Sequence, residues 1–569
     1  IKDNTIESDK LAIEGGGIDL EPGDKDAFVV VQDNIIENNH VKSTAGWAAA
    51  AGLGIYSGCL VKGNIIRGNS ATGTPAAGGA LILGQDDDLK LIDNLVENNK
   101  SLSETGDLAY AVVLIFNGKA LLKDNKIVNN QVASNNVPYG TGIFVNAATS
   151  GTMIRNNIIS GNKYNRQSLL SKALFLFKSN DVLVENNTMA NNVNTGGIHL
   201  DQTTAIIRGN SITDNVAFYA TGISGVVSKA VIENNTVARN TGETGSGGGW
   251  LMSMQSALLQ NNLFYENDAG SRAAGGLAVG LIENNLLAQI SVQDLPIKFM
   301  INDEIKKADT AKSTIPDLQS VVLINNTIVN NKAYNFGGGL FIGKCETHCI
   351  NNIIWGNTAG TDGAQIWDPF NMLNAMHCNV QGGWDPGANI IDADPLFQGE
   401  NFELSNLSQC IGSGIASVNI NGVEVKCPAR DCHTGMRPNP AGSNPDIGAV
   451  ESALPEPEGT RTIHDMSAIP ANYALAQNYP NPFNPATTIE YQLPESGHVT
   501  VSIHNLAGQL VKILVDAEHD AGVYLRLWDA TDNNGSKVSS GIYIYRIYVQ
   551  KNLAGREAWQ SERKMVFLK

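Results

Sequence analysis

Basic residues are in short supply in this chain of 569 residues: 39 Lys and Arg stand against 56 Asp and Glu, for a formal net charge of −17. That balance argues against a nucleic-acid partner, which would need a basic stripe, and a polyanionic glycan would require a bridging cation. Charge of either sign is sparse at 17%, whereas 42% of residues are hydrophobic, so a large core is expected and disorder is not. No apolar run reaches the length of about 18 residues that a membrane-crossing helix needs. No signal peptide is visible, and the chain opens at Ile1 within a repeat, as expected of a trimmed or mature fragment. Nucleophile-elbow, P-loop and Rossmann fingerprints are absent. The stretch Gly245–Gly249 is turn chemistry that recurs elsewhere in the chain. Cys345 and Cys349, with His348 between them, have no second pair at zinc-finger spacing.

What is present is a repeat of the form apolar-x-x-Asn-x-apolar-x-x-Asn. It reads VQDNIIENN at Val31, VKGNIIRGN at Val61, LIDNLVENN at Leu91 and, near the end, LINNTIVNN and CINNIIWGN. The anchor Asn falls at Asn4, Asn34, Asn64, Asn94, Asn125, Asn157, Asn187, Asn210, Asn235, Asn262, Asn285, Asn326 and Asn352. Apolar residues stand two positions after and three before every anchor, and a second Asn follows five positions later in nearly every row; Asp9 and Ile290 are the exceptions. Gly-rich strand signals such as GIYS, GALIL, GIFVN and GIHLD precede each next row. One such unit cannot bury its own apolar face, but stacked units can. The expectation is an all-β parallel β-helix with about three short strands per coil. Thirteen coils at a strand spacing of about 4.8 Å would extend for roughly 60 Å. A residue that tolerates the left-handed region and bonds nearby backbone suits the corner between strands. Stacked anchors are therefore expected to form an amide ladder at an inside corner.

The coils are assigned to residues 1–380, with an excursion at 288–319 whose composition is helix-like from Ile301 to Lys312. Loops such as HVKSTAGWAAAAG are expected to thicken the N-terminal half. Residues 381–452 are expected to close the stack, residues 453–470 form a Pro- and Glu-rich linker, and residues 471–569 carry about seven alternating strands that fit a small Ig-like sandwich. Asp394–Phe397, Ser408–Ile411 and Asp446–Glu451 resemble the terminal segment of right-handed β-helix surface proteins called choice-of-anchor Q. Asn478–Pro485, Gly508-Gln509, Trp528-Asp529, Ser540–Tyr543 and the final RKMVFLK resemble the type IX secretion C-terminal sorting domain. These resemblances imply a right-handed helix and a place outside a Bacteroidota-type bacterium, extracellular or on the outer membrane, reached through the type IX secretion machinery.

The candidate chemistry is thin. With Ile55, Ile143 and Ile198 pointing inward, the outward positions of the Gly-led strand are Tyr56, Phe144, His199, Asp201, Ser224, Leu251 and Phe341. Only His199 and Asp201 offer acid–base chemistry on a shared face, about 7 Å apart, and two solvated strand residues is the simpler reading. Trp47 and Trp250, placed in or beside flank loops, could stack on sugar rings, while Trp355, Trp367 and Trp384 are expected to seal the end of the core. Asp86, Asp87 and Asp88 could hold Ca²⁺ at a turn, although acidic turns are ordinary; no other cofactor is implied. Asp529 and Asp532 match a calcium loop only loosely. Six of the seven Cys lie between Cys345 and Cys432. Their clustering suggests local disulfides, with Cys378–Cys410, Cys345–Cys349 and Cys427–Cys432 as the pairs. The leading expectation is a non-enzymatic surface protein acting in assembly, adhesion or binding, which could form filaments by self-assembly through a β-helix end. The alternative is a secreted polysaccharide lyase or glycoside hydrolase acting on extracellular glycans.

Overall fold

The computed structural model describes residues 1–568 except 9–11, 21–27, 74–75, 78, 85–87, 105–107, 135–136, 167, 169, 219, 244, 271–273, 281–317, 319, 454–471, 479–480, 484–486, 520, 529, 534–535 and 552–557. The chain divides into two compact units, Ile1–Pro457 and Glu458–Lys569. No α-helix occurs among the described residues.

The first unit is a parallel β-helix with four walls. Wall 1 holds the strands that lead into the anchor Asn, thirteen in all, from Val29–Gln32 to Gly387–Ala388. Wall 2 holds the twelve strands between the two Asn rows, from Ile35–Glu37 to Asn379–Val380. Wall 3 follows the second Asn, and wall 4 is built from the twelve Gly-led strands Ile18–Leu20 to Ile366–Trp367. The coils thus turn through four walls where three strands were expected, because the second Asn makes a corner of its own. Every strand pairs in parallel with its counterpart one coil away, so inward positions stack. Ile36, Ile66, Val96, Ile127 and Ile159 form one such file on wall 2, each fully buried.

The expected loops of the first coils are more regular than loops. Trp47–Ala49, Leu108–Tyr110 and Val137–Tyr139 belong to a separate five-stranded parallel sheet flanking the first coils.

The coils on either side of the excursion pair directly. Ser256–Gln260 pairs directly with Val321–Ile324, and Asn262 bonds Asn326 across 64 residues, leaving no coil between them. The anchor column passes directly from Asn262 to Asn326; Asn285 lies outside the described residues, as do residues 301–312. The row at Asn285 carries Ile290 where the second Asn belongs, so it lacks the group that turns the next corner. Most of the expected linker also lies outside the described residues.

Residues 381–452 do more than close the end. Trp384 and Ile390 pack against the last of the core, but the chain then returns beside the coils. The antiparallel hairpin Ser417–Ile420 and Val423–Lys426 lays Ile420 and Val425 on Val322, Ile324 and Ile350 of wall 1. Leu404, Cys410, Ile411 and Ile447 cover Val329 and Ile353 of wall 2. Strands covered on both faces need apolar residues on both, which accounts for the uninterrupted apolar runs VVLI and IIW. Buried Arg437 fastens the return, donating to Glu451 Oε2 at 2.8 Å, Asn261 Oδ1 at 2.9 Å and the Gly448 carbonyl at 2.9 Å.

The second unit is a sandwich of a three-stranded and a four-stranded antiparallel sheet. Alternate residues Val499, Val501 and Ile503 meet Tyr545, Ile547 and Val549 in its core, with Trp528 fully buried among them.

Candidate functional site

Two amide columns run along the coils. Each anchor donates from Nδ2 to the Oδ1 of the next: Asn64 to Asn94 at 3.0 Å, Asn125 to Asn157 at 2.9 Å, Asn187 to Asn210 at 3.0 Å and Asn326 to Asn352 at 2.9 Å. The same Oδ1 atoms accept the backbone N–H of the preceding anchor, and Nδ2 reaches a carbonyl of the previous coil, as in Asn187 to Ile154 at 2.8 Å. The column includes Asn34, Asn94, Asn157, Asn210, Asn235 and Asn262, all linked in this way. The second Asn forms an equal column from Asn39 to Asn357, ending on Gln365 Oε1. Asn4 belongs to this second column, because Thr5 pairs with His40 and Asn4 Nδ2 donates to Asn39 Oδ1 at 2.7 Å.

The left-handed conformation is not taken by the anchors. It falls on the residue before each, at Asp33, Gly63, Asp93, Asp124, Asn156, Asn186, Gly209, Asn234, Asn261, Asn325 and Asn351. The corner is thus divided between a turning residue and a bonding residue. Where the closing segment passes, the turning residues Asn261, Asn325 and Asn351 also hold it: Asn325 Nδ2 donates to the Asp446 carbonyl at 2.9 Å, and Asn351 Oδ1 accepts from Ile415 N–H at 2.9 Å.

The outward face of wall 4 is where exposed chemistry was expected. In register from coil to coil, its central column reads Ile82, Leu114, Phe144, Phe175, His199, Ser224, Trp250, Ala278, Phe341 and Trp367. Tyr110 and Tyr139 of the flank sheet pack onto it, with ring centroids 6.0 Å from Phe144 in both cases. Trp47 meets Tyr110 edge-on at 5.2 Å, so it joins this second apolar layer rather than standing alone in a loop. Trp250 lies on the wall itself, 8% exposed, while its neighbour Leu251 turns into the core, the reverse of the expected register. Gly249, not Trp250, takes the place across from Ile223. Trp367 stacks on Phe336 at 4.4 Å on the same outer face and Trp355 packs under the closing segment. Of the three, only Trp384 meets the core end.

His199 and Asp201 are buried rather than solvated, at 4% and 3% exposure. His199 Nδ1 sits 2.8 Å from Ser224 Oγ, its ring lies 4.8 Å from that of Phe175, and its buried Nε2 has no hydrogen-bond partner. Lys172 is also buried and donates to the Ala220 carbonyl at 2.6 Å. Burial lowers the Lys172 ammonium to about 7. Burial, with the charge of Lys172, lowers His199 to about 3, and burial raises Asp201 to about 6. His199 is therefore neutral near pH 7 and a poor proton acceptor. In register beside Asp201 stand Phe177 and Val226; beside His199 stand Phe175 and Ser224. No second carboxylate flanks the pair on either neighbouring strand.

None of the expected disulfides is formed; Cys345, Cys349, Cys378, Cys410, Cys427 and Cys432 are all free thiols. Cys349 lies within the extended strand Thr347–Ile350 with Cys345 two residues before its start; Cys349 Sγ accepts from Asn352 Nδ2 at 3.0 Å, while Cys345 Sγ turns to the Glu346 carbonyl at 3.7 Å. Cys427 Sγ bonds Asn325 Oδ1 at 3.0 Å, and Cys410 Sγ accepts from Asn379 Nδ2 at 3.0 Å. Asp86 and Asp87 lie outside the described residues, while Asp88 pairs with Lys90 at 2.7 Å. No metal-ligating cluster occurs among the described residues.

Comparison with known proteins agrees with this architecture. The FlgD Ig-like domain family matches residues 484–552. No curated protein matches the chain. Among solved structures, dimeric latent PorU from Porphyromonas gingivalis is 24% identical over 17% of this chain, with a TM-score of 0.15; the match spans a tenth of that chain. The family described as right handed beta helix region matches residues 1–188, 78–268 and 172–368 in overlapping segments. Those segments together cover well over half of the chain, which belongs to the right-handed β-helix family.

Proposed function

We propose that this is a non-enzymatic protein of the bacterial cell surface or extracellular space, in which the β-helix serves assembly, adhesion or surface binding. The observation that carries this reading is the neighbourhood of His199 and Asp201. Retaining and inverting glycosidases work with two carboxyl groups about 5–9.5 Å apart, and the strands beside Asp201 offer Phe177 and Val226 instead. The face that could have held a catalytic groove is occupied by Leu114, Phe144, Phe175 and the tyrosines packed on them. The second unit is proposed as the export element. Its match to an Ig-like family and the Asn478–Pro485 and Ser540–Tyr543 motifs support a sorting role toward the type IX machinery, and the segment 381–452 is proposed as a surface-anchor terminus of the choice-of-anchor Q kind.

The test is an unbiased glycan array run beside reducing-end and lyase-absorbance assays on the same polysaccharides, with light scattering over a concentration series. Retention of glycan, or growth of the scattering mass, without new reducing ends or unsaturated product supports the reading. Turnover of any polysaccharide that is lost in a His199→Gln or Asp201→Asn variant overturns it.

A further inference from the structure

The anchor column does not end on an amide. Where the next anchor would stand, 26 residues after Asn352, the chain carries Cys378, and Asn352 N–H points at its Sγ at 3.4 Å. Cys378 Sγ lies 3.3 Å from the Cys349 carbonyl. Asn352 Nδ2 sits between the two thiols, 3.0 Å from Cys349 Sγ and 4.0 Å from Cys378 Sγ. The neighbouring Cys378 thiol, with burial, holds Cys349 well above the ordinary thiol range. Neither residue has measurable exposure. They come from adjacent coils: Cys349 pairs in register with Ala375, and Cys378 follows three residues after Ala375, at the corner.

We infer that Cys349 and Cys378 are a redox site, a pair of neighbouring thiols that closes to an inter-coil disulfide and locks the last turn of the β-helix to the one before it. The contacts that bring the side chains together across the coil boundary are those of the sulfurs: Cys378 Sγ lies 3.3 Å from the Cys349 carbonyl, and both Sγ atoms lie within 4.0 Å of Asn352 Nδ2. The oxidant is a disulfide, either of a protein dithiol–disulfide oxidoreductase or of a small thiol. One Cys thiolate attacks it and releases one thiol. The second Cys thiolate then attacks the mixed disulfide, the Cys349–Cys378 bond forms, and the second thiol leaves. The two cysteines lose two protons and two electrons, and the oxidant disulfide becomes two thiols. Because both sulfurs are buried in the finished coil, the exchange takes place before the last coil closes, or when it opens. This pairing is independent of the functional reading above.

The experiment is refolding of the full chain with oxidised glutathione, alkylation of remaining thiols, and non-reducing peptide mapping after cleavage at Asp368, between the two cysteines. The expected result is one peptide pair joined through Cys349 and Cys378, retained in Cys410→Ser and absent in Cys378→Asn. The second variant restores an amide to the column and so keeps the fold. Reduction should lower the urea midpoint of the wild type and leave that of Cys378→Asn unchanged. Full alkylation of both residues after oxidative refolding, or a link from Cys378 to Cys410 or Cys345, overturns the inference.

Discussion

Asn187 shows what a single residue does in this protein. Its Oδ1 accepts the Asn157 N–H and amide, and its Nδ2 donates both to Asn210 Oδ1 of the next coil and to the Ile154 carbonyl of the previous one. Asn187→Ala leaves those buried groups unpaired, and a loss of about 1–3 kcal/mol is expected, measurable as a lower urea midpoint. His199 tests burial instead. Its folded pKa, about 3, lies below the unfolded value, so its contribution is present above pH of about 6.5 and is lost as pH falls toward 3. Asp201, raised to about 6, runs the other way, favouring the fold below its unfolded pKa and losing that contribution as pH rises through 6. His199→Gln is expected to flatten the acid limb of the stability profile between those limits; an unchanged limb in a pH series of thermal melts would contradict the burial. The anchor role was legible in the fixed Asn spacing. The burial of His199 was not, because strand alternation tells which face a residue takes and not what packs over that face.

At the scale of the element, the Gly-led strands of wall 4 explain their glycines by crowding. A Cβ on Gly222 would run into the Gly248 carbonyl and Val237 Cγ1. Gly248 and Gly276 face the same obstruction one coil further on. Gly222→Ala should cost about 1–3 kcal/mol through forced displacement, read as a lowered thermal midpoint. The number of strands per coil was misjudged from the sequence because corners, not strands, carry the strong signal. The second Asn looked like an echo of the first, yet it makes a column and a turn of its own. The register of GGGWLM was likewise ambiguous. Three glycines in a row give no apolar mark for the inward position, and the pairing of Ser224 with Trp250 decides it.

At the scale of the whole molecule, a stack of near-identical coils predicts modular behaviour, since each coil touches only its neighbours. Asn210 and Asn235 are 25 residues apart and occupy the same place in successive coils. Deleting residues 211–235 should join Asn210 to Thr236 and preserve the column, giving a chain with native-like circular dichroism and a cooperative melt. Removing one residue fewer shifts the following strand by one position and turns its apolar face outward, so that variant should fail to melt cooperatively. Loss of cooperativity in both would contradict the modular stack. By itself, the sequence determined the repeat, the inward files and the separate C-terminal sandwich, because apolar periodicity and Asn spacing are local properties that each coil restates. Only the tertiary structure decided that Asn262 bonds Asn326 directly, that residues 411–451 return along the flank, and that Cys378 meets Cys349. Those outcomes depend on which distant segments can share one surface, and contact between segments that far apart leaves no periodic trace in the chain.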